Sequence, residues 1–145
     1  MKQLGIVGQS VHRSDGLGHV TGRTTFIDDI SYPHMLYISM VRSPVARGKI
    51  RSIDTSKAEA FPGVATVITA KDVPNNLYTI LCLIGIGPND EPVLAEDEVM
   101  YEGEPICAVV AESEEIAREA ASLVKLDIEE LEPVLDVEYA LRPEA

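Results

Sequence analysis

The sequence predicts an α+β fold in which two main helices lie against a mixed sheet, and three observations predict it. Residues 106–110 form a continuous apolar run, Ile-Cys-Ala-Val-Val, the profile of a central strand buried on both faces. Residues 113–125 place Ile116, Ala117, Ala120, Ala121, Leu123 and Val124 at helical spacing. Strand-like segments at 35–41 and 48–53 follow one another with only a turn between them. An all-parallel sheet would need a helical crossover that this connection does not supply.

Taken in order, residues 1–22 are rich in glycine and polar residues and have no helical or strand period, so they read as an extended N-terminal arm. Gly16-Leu17-Gly18 has the spacing of part of a dinucleotide fingerprint, but no strand leads into it and no helix is expected after it. It reads as a flexible turn. Residues 24–27 are expected to form a short strand closed by Asp28-Asp29 and Ser31-Tyr32-Pro33.

Residues 35–41 put Leu36, Ile38 and Met40 on one strand face and Tyr37, Ser39 and Val41 on the other, with both faces at least partly covered. Pro44 ends this strand, because it lacks an N–H and pushes Ser43 away from helix. With the alternating segment 48–53 the pattern suggests an antiparallel hairpin. Asp54-Thr55-Ser56 is an N-cap cluster, and Ser56 with Glu59 matches a capping box before Pro62-Gly63 stops the helix. Residues 64–69 carry three β-branched residues in Thr66, Val67 and Ile68, the mark of a strand.

Residues 77–98 lose the pattern. Gly85, Gly87, Pro88, Asn89, Asp90 and Pro92 make them a long connection of the kind that is functional or covers a partner. Residues 99–101 suggest a short strand. Ser113 can cap the 113–125 helix, Glu114 and Glu115 suit the positive end of its dipole, Lys125 suits its last turn, and Glu114 with Arg118 forms an i,i+4 pair. Residues 126–131 alternate Leu126 and Ile128 against Asp127 and Glu129, as a half-buried strand does. Pro133 and Pro143 stiffen the remaining tail. The organisation expected is an arm at 1–22, a domain at 23–132 and a connector tail at 133–145.

At 145 residues and 46% hydrophobic the chain can bury a core of its own, built mainly from Val, Ile, Leu and Ala, since it has five Tyr, two Phe and no Trp. Its net charge is -12, spread as +3 over residues 1–60 and -15 over 61–145. The acidic half would repel a phosphate backbone, which argues against nucleic acid. Cys82 and Cys107 show neither CxxC spacing nor a preceding signal peptide, and no apolar run reaches the ~20 residues of a membrane span. A cytoplasmic domain with free thiols, without nucleic-acid or membrane partners, is expected.

Few residues invite a chemical reading. Asp28 and Asp29 are neighbours and would point to opposite strand faces, so turn capping accounts for them better than a shared ligand. His12, His19 and His34 have no HxxxH spacing and no cysteine nearby. The clusters at Glu96-Asp97-Glu98 and Glu112, Glu114, Glu115 read as solvated faces. No serine occupies a nucleophile elbow, and no GxxxxGK[ST] loop occurs. Arg42, at a strand end beside a turn, reads as a structural salt bridge or carbonyl clamp ahead of a ligand contact.

The wording of the chain adds to its periodicity. Arg13-Ser14-Asp15, Val20-Thr21-Gly22, Asp28-Asp29, Met35-Leu36, Arg42-Ser43-Pro44, Ile53-Asp54 and Pro62-Gly63-Val64 follow one another in the first half. Asp90-Glu91-Pro92-Val93-Leu94-Ala95, Val99-Met100-Tyr101-Glu102-Gly103-Glu104-Pro105, Ala108-Val109-Val110-Ala111-Glu112 and the alanine-rich helix continue the series. In this order, over about residues 11–137, the chain resembles the a/b hammerhead domain at the N-terminus of the molybdopterin-binding subunit of the xanthine dehydrogenase and aldehyde oxidase family. The family often has Ala-His-Ala after its Arg-Ser-Pro motif. This chain has Ala46-Arg47-Gly48, so no histidine role carries over.

The resemblance implies a hammerhead-like α+β fold. It also implies membership of a molybdenum hydroxylase that inserts water-derived oxygen into a heteroaromatic or aldehyde carbon. Molybdopterin, iron–sulfur clusters and FAD belong to the whole enzyme. The family's catalytic glutamate and cofactor loops lie in the later part of that subunit and have no counterpart here. No catalytic, cofactor-binding or metal residue is therefore assigned, and the chain alone is expected to be inactive. The implied partners are the molybdopterin-binding portion and the iron–sulfur and FAD subunits. An independent protein-binding module reusing the fold is the other reading, motivated by the lopsided charge and the 77–98 connection.

Overall fold

The computed structural model describes Gly8 and residues 10–143. The part of the expected arm before Gly8, with Gly5, lies outside the described residues. Contacts divide the chain into two compact units, Met1–Met35 and Leu36–Ala145.

The first unit holds a short helix and a turn where the sequence suggested a flexible turn and a strand. Residues Gly16–Val20 form a short helix, α1, closed by the Gly18 carbonyl accepting from the Arg23 and Thr24 amides at 2.9 and 3.3 Å. Residues 24–27 are not a strand. Ile27–Asp29 make a 3-10 turn instead, with the Asp29 carboxylate accepting from the Phe26 amide at 2.9 Å. This local hydrogen bond offers the backbone an alternative to a ladder, and it gives Asp29 the turn-capping role expected of it.

In the second unit, strands β1 (Tyr37–Arg42), β3 (Val64–Thr69) and β7 (Pro105–Ala111) build one sheet in the order β1-β7-β3. Strands β2 (Gly48–Asp54), β6 (Glu98–Val99) and β8 (Lys125–Glu130) build another in the order β6-β2-β8. Two-residue strands β4 (Leu77–Tyr78) and β5 (Glu91–Pro92) pair separately. Every pair is antiparallel. The α+β class stands, and the single sheet expected is divided into two. The hairpin expected from 35–53 does not form: β1 pairs with β7 and β2 with β8, so the turn between them carries the chain from one sheet to the other.

Strand β7 is the centre of the unit. Its residues alternate between two cores, as the period of two requires. Val109 packs with Ala58 and Ala120, flanked by Val41, Phe61, Val64 and Val67. Ile106 packs with Ala95 and Val99 against Ile50, Ile53, Leu126 and Ile128 of the second sheet. Ile50 and Ile53 are three apart and would fall on opposite faces of a regular strand. A register shift between Ile50 and Ser52 brings both onto the same core.

The outer strand β1 sends Val41 into the helix-covered core, while on its other face Met40 is half-buried and Ile38 is 62% exposed, so that face is covered only in part.

Helix α2 (Ser56–Glu59) and helix α4 (Glu114–Ala121) cover the first sheet through Ala58, Ala117 and Ala120, whose small side chains permit close approach. At α2 the expected Ser56 cap does not form: Thr55 holds the N-cap position without a side-chain cap bond, its hydroxyl donating to Glu59 Oε1 at 2.6 Å, and the Ser56 amide and hydroxyl both donate to Asp54 Oδ1, at 3.1 and 2.6 Å. Ser113 caps α4 as expected, accepting from the Ile116 amide at 3.2 Å, and Arg118 pairs with Glu114. Lys125 begins β8 and is not in the helix. Within 77–98 lie β4, β5 and a helical turn, α3 (Ile80–Leu83), where no regular structure was expected. A further turn, α5 (Val137–Ala140), lies in the tail.

Candidate functional site

Two of the wording motifs meet in space at the crossing between the sheets. Pro44 cannot donate, so the chain at 42–47 has to find partners outside a ladder. It finds them in the turn that precedes β7. The Ser43 amide donates to the Glu104 carbonyl and the Gly103 amide donates to the Ser43 carbonyl, both at 2.9 Å. Arg42 Nη1 donates to the Gly103 carbonyl at 2.9 Å, a carbonyl clamp of the kind the sequence suggested.

Ser43 is buried at 4% exposure. Its hydroxyl donates to the Val45 carbonyl at 2.7 Å and accepts from the Val45 amide at 3.1 Å. Both its donor and an acceptor site are thus spent on the Val45 backbone. Glu104 is 2% exposed, and its Oε2 accepts from the Met100 amide at 2.6 Å, closing the turn from within. Gly103 holds φ +86, a left-handed conformation that glycine adopts without strain. Sequence reasoning passed over Glu104. Its signal was available: a lone acid between Gly103 and Pro105, directly before the most buried strand.

The crossing continues through Arg47, whose carbonyl accepts from the Leu131 amide at 3.0 Å and whose Nε reaches Glu98 Oε1 at 3.3 Å. Glu98 is thus a tether for Arg47 and not only a solvated acid. The Ala95 amide donates to the Pro105 carbonyl at 2.8 Å, joining the end of the 77–98 connection to the same place. What this arrangement does chemically is hold backbone to backbone.

The other candidates are dispersed. In the first unit Arg13 Nε and Nη2 donate to Asp15 at 2.6 and 2.9 Å, and His19 Nε2 lies 3.2 Å from Asp15 Oδ2. The guanidinium beside Asp15, with help from His19, holds its carboxyl below the usual range. The His19 ring lies 5.7 Å from that of Phe26. Gly18 belongs to α1 and its carbonyl serves that helix, which is a capping role. Among the described residues no three His, Cys, Asp or Glu come together in a way that could hold a metal. Cys82 is exposed and Cys107 buried. Burial pushes the Cys107 thiol up to about 11.

Three exposed carboxyls share a structural pH dependence. The Ser56 hydroxyl lowers Asp54, the Thr69 amide and hydroxyl lower Asp72, and its own backbone amide with Ser113 lowers Glu115. A depressed carboxyl contributes stability above its unfolded value and loses it as pH falls through its folded value. Urea unfolding midpoints are therefore expected to hold between pH 5 and 7 and to fall progressively below about pH 4.

With this geometry in place, comparison with known proteins gives a consistent result. A family model described as aldehyde oxidase and xanthine dehydrogenase, a/b hammerhead domain, matches residues 21–132. A probable xanthine dehydrogenase subunit of Bacillus subtilis is 46% identical over 133 residues, which is 92% of this chain and 17% of that protein. The nicotine 6-hydroxylase large subunit of Paenarthrobacter nicotinovorans is 40% identical, covering 90% of this chain and 16% of that subunit. The crystal structure of an aldehyde oxidoreductase from Desulfovibrio desulfuricans superposes with a TM-score of 0.88 at 34% identity, over 97% of this chain and 16% of that one. The chain thus spans about a sixth of the length of the relatives it matches.

Proposed function

The chain belongs to the aldehyde oxidase and xanthine dehydrogenase a/b hammerhead family, and from that premise we propose that it is the non-catalytic N-terminal domain of a molybdenum hydroxylase. The observation that carries this reading is the match itself: nine-tenths of this chain aligns with about a sixth of the Bacillus subtilis and Paenarthrobacter nicotinovorans subunits. The clasp supports it, because Arg42 and the backbone of Ser43, Gly103 and Glu104 hold one another, while the Ser43 hydroxyl is spent on Val45 and the Glu104 carboxylate on the Met100 amide.

The enzyme so formed hydroxylates a heteroaromatic or aldehyde carbon with oxygen from water. Its cofactors are molybdopterin, iron–sulfur clusters and FAD. Of the two cysteines one is exposed and one buried, and among the described residues no three His, Cys, Asp or Glu gather, so what supports placing the iron–sulfur clusters elsewhere in the enzyme is the lack of a thiolate set here. The chain's own contribution is a rigid surface for the molybdopterin-binding portion, with iron–sulfur and FAD subunits as further partners. We divide it into an arm at 1–22, the hammerhead domain at 23–132 and a connector at 133–145, a division supported by the 21–132 match. No described helix is long and apolar enough to cross a membrane, and a cytoplasmic location accords with two free cysteines.

The test is metal analysis and turnover. The purified chain is expected to carry no molybdenum and show no hydroxylation of aldehyde or heteroaromatic substrates. Expressed together with the molybdopterin-binding portion, it is expected to be recovered in an active, molybdenum-loaded enzyme. Stoichiometric molybdenum in the chain alone would overturn the reading.

A further inference from the structure

We infer that residues 77–93 are the element through which this chain docks on the larger, molybdopterin-binding portion of the enzyme, an inference that rests on the function proposed above. Residues 73–89 contain no Asp, Glu, Lys, Arg or His, in a chain that is 25% charged. Within them Leu77, Tyr78, Ile80, Leu81, Ile84 and Ile86 are each between 48% and 73% exposed, and the exposed acids Asp90 and Glu91 follow at the edge. Other exposed apolar residues differ in setting: Leu135, Val137 and Leu141 are interleaved with Asp136, Glu138 and Arg142. Single apolar residues among charges are ordinary surface, whereas a contiguous uncharged apolar stretch marks an interaction site.

The stretch is also held in place. Asn76 closes its base like a strand residue, donating through Nδ2 to the Leu94 carbonyl at 2.8 Å and accepting at Oδ1 from the Leu94 amide at 3.0 Å. The Val93 amide donates to the Asn76 carbonyl at 2.7 Å, and Leu77 and Tyr78 pair with Pro92 and Glu91. Further out, Asn89 Oδ1 accepts from the Thr79 amide at 3.0 Å. A pinned base lowers the ordering cost of binding, so the apolar area converts more fully into affinity.

The occupant is indicated by the lengths. Relatives aligned over about nine-tenths of this chain carry roughly five-sixths of their polypeptide beyond it. That is the protein available to cover this surface. Its contacting face is expected to be apolar and uncharged, because a charged face would leave ions unpaired against the stretch.

Cys82 lies within α3 and is exposed, whereas Cys107 is buried with its thiol pushed up to about 11, so a thiol reagent at neutral pH reads Cys82 alone. The experiment compares maleimide labelling of Cys82 in the isolated chain and in the assembled molybdenum enzyme. Labelling slower by about tenfold or more in the assembly is expected, since a covered thiolate is out of the reagent's reach. In parallel, Ile84→Lys and Ile86→Lys are expected to leave the thermal midpoint of the isolated chain unchanged and to abolish its recovery with the larger portion. An assembly that forms while Cys82 labels at the isolated rate, or that tolerates both lysines, overturns the docking element and leaves the proposed function standing. Failure of the parent chain to assemble at all overturns the proposed function itself.

Discussion

Replacing Ile106 by alanine is expected to lower the stability of the unit formed by residues 36–145 by about 2–5 kcal/mol, the range for truncating a fully buried large aliphatic side chain. Ile106 has no exposed surface and is the largest fully buried side chain among the described residues. It reaches from the central strand of one sheet into a core made with Ala95, Val99, Ile50, Ile53, Leu126 and Ile128. Two of these neighbours are small or β-branched residues at 0% exposure, which cannot swing into the space left behind. The cavity therefore persists, and its cost adds to the lost transfer free energy. Urea unfolding followed by far-UV circular dichroism reads the effect as a shift of the midpoint. Ile38→Ala serves as the control, because Ile38 is 62% exposed and is expected to move the midpoint little.

Gly48→Ala is expected to cost about 1–3 kcal/mol for a single methyl group, the range for overpacking a filled site. A Cβ at Gly48 would stand 2.6 Å from Ile128 Cγ2 and 2.9 Å from the Glu129 carbonyl oxygen. The first neighbour could turn away, but the second is ladder backbone: Gly48 opposes Glu130 and Lys49 opposes Glu129. Relief requires β2 and β8 to separate at the point where Arg47 also holds Leu131. The same unfolding measurement decides it, and Gly103→Ala separates the causes. No heavy atom lies within 4 Å of a Cβ there, so its cost comes from the positive φ alone.

At Ala46-Arg47-Gly48 the glycine lets β2 run against Glu129 without a side chain between them. Arg47 in the middle is drawn to Glu98 and to the Glu132 carbonyl.

What could be read in the sequence was what local chemistry decides. Strand β3 spans Val64–Thr69, the residues expected of it around Thr66, Val67 and Ile68. Ser113 caps α4, and Leu126 and Ile128 turn inward while Asp127 and Glu129 stay out. The clamp role of Arg42 could be weighed because an arginine beside a proline turn faces carbonyls without ladder partners.

The partition into two sheets was not legible. Segments 37–42 and 48–54 look like a hairpin locally, and only the distant β7 and β8 decide otherwise. The bulge that brings Ile50 and Ile53 to one core was hidden for the same reason, since periodicity counts residues and not partners. Helix α1 was missed because two glycines in five residues argue against helix by propensity, while backbone bonds to the Gly18 carbonyl close it. At α2, three consecutive cap formers competed, and Asp54 took both the amide and the hydroxyl of Ser56 while Thr55 turned to Glu59.

For the candidate site, the pieces Arg42-Ser43-Pro44 and Gly103-Glu104-Pro105 were each visible, but that they grip one another across about 60 residues is a property of the fold.

The central claim is that this grip is structural and that the chain gives the enzyme shape, not a reacting group. Arg42→Met in the assembled enzyme tests it most directly, with turnover expressed per bound molybdenum and the unfolding midpoint measured together. Loss of one hydrogen bond from a charged donor is expected to lower stability by about 1–3 kcal/mol while turnover per molybdenum stays within about twofold, a change of less than about 0.5 kcal/mol in the barrier. Turnover per molybdenum falling by about a hundredfold or more with the unfolding midpoint unchanged would contradict it.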